Sequence, residues 1–396
     1  MKITKIKIFQ INPGNKVSFG TGWGKNYIIT KIYTDSGITG IGEAFGTGKA
    51  KTIEASILEF GRWLQGKDPT RILKNWYAFF RGSRYPLGTA TMAALSSLEH
   101  ALWDIAGKSC GLPVYRMLGG PFRNKIRLYA SGYLAQPLHF DIEGNDLIEA
   151  CRANCNAGFT AVKVTPQPDD WNSISQAAII NESIKRVKML REALGEDVDI
   201  CLDYHGRDLG PTEAIKLARN IEEYNPLFLE EPALSENPDS LAEIKTKTTI
   251  PIAAGERCIS RDRLREILEK KAVHILQLEP TANGGILETV KWAAFSEIYH
   301  ILIAPHHACS ALSLIVCCHI DACLPNFLIQ ECNVNIDSTF TRDIFKISHN
   351  FDNGYMILSD VPGLGIDLDE EAAKKYPYKP YDRPIIIKED GSIGLE

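Results

Sequence analysis

Six short apolar runs in the middle of the chain each end in an acid or a histidine, and they recur at a nearly constant interval. They are VDICLD ending at Asp203, PLFLE at Glu230, IPIAAGE at Glu256, HILQLE at Glu279, ILIAPH at His306 and NFLIQE at Glu331, with gaps of 27, 26, 23, 27 and 25 residues. A strand of ~5–6 residues, a helix of ~11–12 and two loops of ~2–6 add up to one unit of that length. The spacing predicts a β-loop-α-loop repeat with a ligand-type side chain at the carboxyl end of each strand. In a closed parallel barrel those ends converge on one face, where the active site lies.

Two further runs, IRLYA and TAVKV, precede the six and bring the count to eight strands. Segments such as PTEAIKLARNIEEY, apolar at i, i+3, i+4 and i+7, fit between them as helices. Eight parallel strands with helical crossovers point to an α/β barrel. Residues 1 to about 125 read differently, as a separate α+β unit. A strand near Ile3–Phe9, YIITKIYT, the turn Asp35-Ser36-Gly37 and ITGIGEA form an antiparallel meander. Asp68-Pro69-Thr70 predicts a helix start, with Asp68 as N-cap and Pro69 in the first helical position. A second helix is expected from Thr89 to Ala106, closed by Gly107 and Gly111.

A chain of 396 residues has room for a barrel and a smaller partner unit. Its formal charge of -5 gives no electrostatic case for binding nucleic acid or a membrane surface. Anionic substrates would have to be drawn in by a local feature, such as a bound cation. The opening MKITKIKIFQINPG has no apolar core of the secretory type, and no stretch approaches the ~20 residues of a membrane span. Ten cysteines in no paired framework read as reduced thiols of a cytoplasmic protein.

Asp203, Glu230 and Glu256 end three successive strands, so they lie side by side on the rim. Three close carboxylates repel one another and bind protons tightly unless a cation lies between them. Oxygen donors without sulfur or imidazole suit Mg²⁺, which keeps positions for water or substrate. One acid at a strand end can simply cap the next helix; three at unit spacing are not explained that way. Glu231 follows Glu230 and points to the other face by the period-two rule. His205, two residues after Asp203, shares its face. His306 and Glu279 end neighbouring strands, and a carboxylate on one imidazole nitrogen raises the basicity of the other, which makes a general base. Glu331 completes the ring and is placed to hydrogen-bond a substrate oxygen. Lys163, ending TAVKV, reads as an electrostatic or substrate contact, with a Schiff-base amine as the alternative. Cys317-Cys318-His319 and Cys323 lie in an apolar helical stretch without a matching half-site and read as core rather than zinc ligands. The glycine-rich segment Asn12–Asn26, which holds Trp23, reads equally as a mobile lid or a plain hairpin loop.

These motifs together resemble the enolase superfamily, in its mandelate racemase/muconate lactonizing enzyme-like branch, and most closely the galactonate dehydratase-type sugar-acid dehydratases. The resemblance runs through GIGEA, HALWDIAGK, DYHGR, FLEEP, AAGER, NGGI, APHH, LIQE and PGLGID, nearly the whole chain. It implies a (β/α)7β TIM-like barrel over residues 126–359, and an N-terminal α+β capping domain over residues 1–125 completed by residues 360–396. It implies Mg²⁺ on Asp203, Glu230 and Glu256, His205 as acid, and His306 as the base at C2. Lys163, Trp23 and Arg207 are the expected substrate contacts, and a homo-oligomer is the expected assembly. One position departs from the pattern: the partner of His306 is usually aspartate in the family and is Glu279 here. Its extra methylene predicts a tilted His306. The implied reaction is dehydration of an aldonate such as galactonate or gluconate. The alternatives are racemisation or epimerisation on the same fold, a Schiff-base aldolase at Lys163, and a non-catalytic sugar-acid-binding homologue.

Overall fold

The computed structural model describes residues 1–14, 26–46, 48–132, 145–207, 210–381 and 385–394. Strands β1 (Ile3–Ile11), β2 (Tyr27–Thr34) and β3 (Thr39–Ala44) pair in that order as an antiparallel sheet. Helices α1 (Ala50–Leu64), α2 (Ile72–Gly82) and α3 (Thr89–Cys110) follow. α3 is buried along most of its length, because the sheet covers one side and the barrel the other. The glycines of GIGEA make the first contact possible: a Cβ on Gly42 would stand 2.0 Å from the Ser97 carbonyl oxygen. Sheet and helix therefore meet backbone to backbone.

Two predicted helix ends move. α2 begins at Ile72 rather than at Asp68, because the Asp68 carboxylate is already used: it accepts from Thr70 N at 3.0 Å and Thr70 Oγ1 at 2.7 Å, closing a turn ahead of the helix. α3 continues past Gly107 to Cys110 and ends on Gly111 in the left-handed region, with φ 71°. Gly107 instead marks a close approach, since a Cβ there would lie 2.8 Å from the Gly363 Cα.

After the short α4 (Val114–Met117), strands and helices alternate. They are β4 (Ile126–Ser131), α5 (Asn145–Asn156), β5 (Ala161–Val164), α6 (Gln176–Leu194), β6 (Asp199–Asp203), α7 (Pro211–Ile221), β7 (Phe228–Glu230) and α8 (Pro238–Lys245). Then come β8 (Ile252–Ala254), α9 (Arg261–Glu269), β9 (Ile275–Leu276), α10 (Ile286–Ile298), β10 (Leu302–Ile303), α11 (Ala311–Asp321) and β11 (Gln330–Cys332). β4 to β10 are parallel neighbours in chain order, and β11 pairs in parallel with β4. On its other side the eighth run meets β10 through one bridge, Ile303 to Phe327, and backbone bonds from Ile303 N to Asn326 O (2.9 Å) and Leu328 N to Ile303 O (2.8 Å). This is the α/β architecture expected, a mostly parallel central sheet beside a smaller N-terminal unit. Cys317, Cys318 and His319 are buried on α11, as packing residues would be. Downstream of β11, Asp367 and Glu370 reach back to Lys31 and Lys7 of the first unit, at 3.0 and 2.7 Å. No helix among the described residues is long and apolar enough to cross a membrane.

Eight buried residues, one from each strand run, fill the barrel interior: Tyr129, Ala161, Cys201, Phe228, Ala253, Ile275, Ala304 and Ile329. They form an apolar plug that fixes the depth of everything above it.

Buried carboxylates of the N-terminal unit hold it to the barrel. Glu99 of α3 accepts from Ile286 N (2.8 Å), Leu287 N (2.9 Å) and Trp103 Nε1 (2.7 Å), so it caps α10 from outside. Only glycine can precede that helix: Gly285 has φ 98°, and a Cβ there would lie 2.2 Å from Glu99 Oε2. Glu43 of β3 does the same for α11, accepting from Ser310 N (3.1 Å), Ser310 Oγ (2.6 Å) and Ser313 N (3.1 Å). Each carboxyl group faces the positive end of a helix.

Burial nevertheless pushes the Glu43 carboxyl up to about 8, against the lowering effect of its Ser310 and Ser313 donors. A carboxyl that binds its proton more tightly when folded stabilises the fold at low pH and loses that contribution as pH rises. The contribution of Glu43 is complete below its ordinary 4.5 and gone above about 8. The unfolding free energy of Glu43→Gln, measured by denaturant titration from pH 4.5 to 8, should therefore fall less steeply than that of the parent. Parallel slopes for the two proteins would refute this.

Candidate active site

Strand side chains alternate faces, so the residues two places beyond the plug point the same way. From Ala161, Cys201, Phe228, Ala304 and Ile329 that step leads to Lys163, Asp203, Glu230, His306 and Glu331. Adjacent strands are in register there, with Asp203 opposite Glu230 and Cys201 opposite Lys163. Glu256 and Glu279 lie just past β8 and β9. The site is thus a charged layer resting on an apolar floor.

Lys163 is its hub. The ammonium lies 3.1 Å from Asp203 Oδ2, 2.9 Å from Glu230 Oε2 and 2.8 Å from Glu331 Oε1. Burial alone would lower its pKa, but the three carboxylates outweigh that and hold the amine charged, well above 10.5. His205 sits beside Asp203, with Nδ1 3.3 Å from Oδ1, on a backbone at φ 54°. The Asp203 Oδ1 also accepts the His205 N–H at 3.1 Å. Burial would raise Asp203, yet His205 and Lys163 bring it down to about 2. Burial lowers His205, against the pull of Asp203.

Across the site, His306 Nδ1 is 2.7 Å from Glu279 Oε2 and its Nε2 is 3.3 Å from Glu256 Oε2. The extra methylene of Glu279 has not parted the pair. Burial opposes a charge on His306, but Glu256, the Glu279 hydrogen bond and Glu331 raise it to about 10. Glu331 also accepts the His307 N–H at 2.9 Å. The His307 ring points elsewhere, to Ser310 O at 3.0 Å.

The sequence-predicted residues Asp203, Glu230, Glu256, Glu279, Glu331, His205, His306 and Lys163 are therefore brought together. The Arg207 guanidinium lies 5.9 Å from the centre of the Trp171 ring. Trp23 lies outside the described residues. Two participants were missed. Arg257, next to Glu256 in AAGER, pairs with the buried Glu231 at 3.0 Å, lies 3.7 Å from Glu256 and donates to the His205 carbonyl at 3.2 Å. Its position directly after a ligand-type acid was the available signal. Phe45, from the N-terminal unit, meets the His306 ring edge-on with centroids 5.7 Å apart. No periodicity marks it.

The donor set suits a hard cation. Glu230 is fully buried, its Oε1 has no hydrogen-bond partner, and burial together with Asp203 raises its pKa well above the usual range. A second positive charge would relieve that strain. Among the described residues no three ligand-type side chains already enclose one point, so the match lies in the chemistry of the donors and not in a formed cage.

Residues 3–119 match the mandelate racemase/muconate lactonizing enzyme N-terminal domain, and residues 146–372 match the enolase C-terminal domain-like family. The chain belongs to the enolase superfamily. Within the superfamily it is 34% identical to the D-galactonate dehydratase of Ralstonia pickettii and 32% to that of Cronobacter sakazakii, in each case over the whole of both chains. An enolase of Agrobacterium radiobacter solved with sodium and L-malate is similar over the full length of both chains, with a TM-score of 0.88 and 29% identity. A mandelate racemase/muconate lactonizing enzyme-like protein of Rubrobacter xylanophilus has a TM-score of 0.85 at 30% identity, covering 96% of this chain and 99% of its own.

Removing the Lys163 charge should leave Asp203, Glu230 and Glu331 buried against one another. Lys163→Met is expected to lower the thermal midpoint in chelator by several degrees or more, because an uncompensated buried charge costs about 3–5 kcal/mol. Added Mg²⁺ should recover part of the loss, since a ligand at about a hundred times its Kd stabilises by roughly 2.7 kcal/mol. Equal midpoints for parent and variant in chelator would refute the hub role.

Proposed function

We propose that this member of the enolase superfamily is a sugar-acid dehydratase acting on an aldonate, with D-galactonate the first candidate. The observation that carries the reading is the opposed pair of histidine–carboxylate couples. Glu279–His306 stands beside Glu256 on one side, and Asp203–His205 stands on the other.

A proton α to a carboxylate is only weakly acidic, so its removal needs a matched base and a stabilised enediolate. His306, oriented by Glu279 at Nδ1, takes the C2 proton through Nε2, the nitrogen that faces Glu256 at 3.3 Å. The electron pair of the broken C–H bond becomes part of the enediolate. That pair then returns, expels the 3-hydroxyl as His205 donates a proton to it, and water leaves. The negative charge of the enediolate strengthens the hold of His205 on that proton until it is passed on. Loss of one water leaves the 2,3-enol, which gives up its hydroxyl proton to solvent and takes one at C3 from solvent to become the 2-keto-3-deoxy acid. Asp203, Glu230 and Glu256 would hold Mg²⁺, which would polarise the substrate carboxylate as a Lewis acid and neutralise the Glu256 charge beside His306. Lys163 and Arg207 supply the remaining positive charge for an anionic substrate, and a homo-oligomer belongs to the same reading.

A Schiff-base aldolase needs an uncharged amine, and Lys163 is held by three carboxylates. Racemisation is the nearer rival, because the site holds two histidine–carboxylate couples.

A screen of aldonates and aldarates with Mg²⁺ should give keto-acid product, with D-galactonate among the turned-over acids. His306→Asn should lower kcat about 10²–10⁴-fold, the usual contribution of a positioned general base, with KM little changed. Exchange of the C2 proton with solvent deuterium, without loss of water from any acid in the screen, would replace dehydration by racemisation.

A further inference from the structure

Glu279 poses a mechanical problem. Compared with aspartate, glutamate adds one torsion between the backbone and the carboxylate, and that freedom works against holding a base in one orientation. The surroundings of Glu279 show how it is removed. Its Oε2 is bonded to His306 Nδ1, and its Oε1 accepts from both the Thr281 N–H, at 2.8 Å, and the Thr281 hydroxyl. Thr281 is fully buried. The turn that carries it is closed without the hydroxyl, since Ala282 N and Asn283 N each donate to Glu279 O at 3.0 Å. The Thr281 hydroxyl is therefore directed to the carboxylate rather than to closing the turn, with the Cys309 thiol its other neighbour at 3.8 Å. The Thr281 carbonyl also accepts the Phe45 N–H at 3.2 Å, and the Phe45 ring lies against His306. The same residue thus ties the N-terminal unit to the carboxylate and hence to the imidazole.

We propose that Thr281 is a positioning residue that locks the Glu279 carboxylate through its hydroxyl and so fixes the orientation of His306. This rests on the reading of His306 as the base at C2. The Thr281 hydroxyl bonds to none of Asp203, Glu230 and Glu256; it acts through Glu279. The long carboxylate and the threonine two residues later form one device, and the extra methylene works because the far oxygen is pinned.

The test uses the full chain, with Thr281→Val to remove the hydroxyl at nearly constant shape and Thr281→Ser to keep it. Both are also made in a Glu279→Ala background. The first readout needs no substrate: the downfield Nδ1–H proton of His306 in protein labelled with ¹⁵N-histidine, assigned by its loss in His306→Asn. Thr281→Val should abolish or broaden that resonance, and Thr281→Ser should restore it. The second readout is turnover of the acid that the screen identifies. Thr281→Val should lower kcat about tenfold, the scale of one hydrogen bond to a charged group, with KM within about twofold. Thr281→Ser should recover it to within about threefold. In the Glu279→Ala background Thr281→Val should change kcat less than about twofold. If Thr281→Val does not fold, Thr281→Ala takes its place. An unchanged resonance in the hydroxyl-less variant, or an equal loss of kcat with and without Glu279, overturns the proposal. If no sugar acid is turned over while the resonance still follows the hydroxyl, the positioning role stands and the dehydratase reading falls.

Discussion

Like charges gathered in a low-dielectric interior set the terms for this molecule. Asp203, Glu230, Glu256, Glu279 and Glu331 stand within a few residues' reach of one another on a single rim, and most are nearly inaccessible to water. Such a set can exist only where positive charge is built in beside it. Lys163 supplies it on one side and His306 on the other, and the two histidines owe their opposite tendencies to what lies around them. His306 is raised because carboxylates face both of its nitrogens, whereas burial wins at His205. Geometry alone thus drives two like residues apart, His306 holding a proton tightly and His205 releasing it readily.

The apolar plug beneath makes this arrangement possible. Eight buried side chains fill the barrel floor, so the charged layer above them lies at one depth. Charged groups on short strand ends inherit the rigidity of the ladder. Where a group lies beyond the ladder, as Glu279 does, local hydrogen bonds take over that task.

Much of this was legible in the sequence because it is periodic. Strand-end residues recur once per unit, and the period-two rule then selects which of two neighbours faces inward: Glu230 over Glu231, and His306 over His307. What was not legible depended on contacts between distant segments. Asp68 looks like an N-cap, yet its carboxylate closes a turn with Thr70, and the helix starts later. Gly107 looks like a helix stop, yet it serves a contact with Gly363 some 250 positions away. Phe45 carries no spacing signal, and Arg257 only its place directly after Glu256. The expected tilt of His306 came from counting methylenes, whereas a carboxylate has two oxygens: here one is bonded to His306 and the other is held by Thr281.

Glu43 and Glu99 cross from the N-terminal unit to finish helices that belong to the barrel. Neither half can be lifted away without baring helix ends in one and stranding buried acids in the other. The two units are therefore inherited together. A chimera that exchanges the N-terminal unit between relatives succeeds only where the incoming acids find matching helix starts, with glycine before α10 and serine before α11. Recombination across this boundary is thereby confined to partners that share both halves of each clasp.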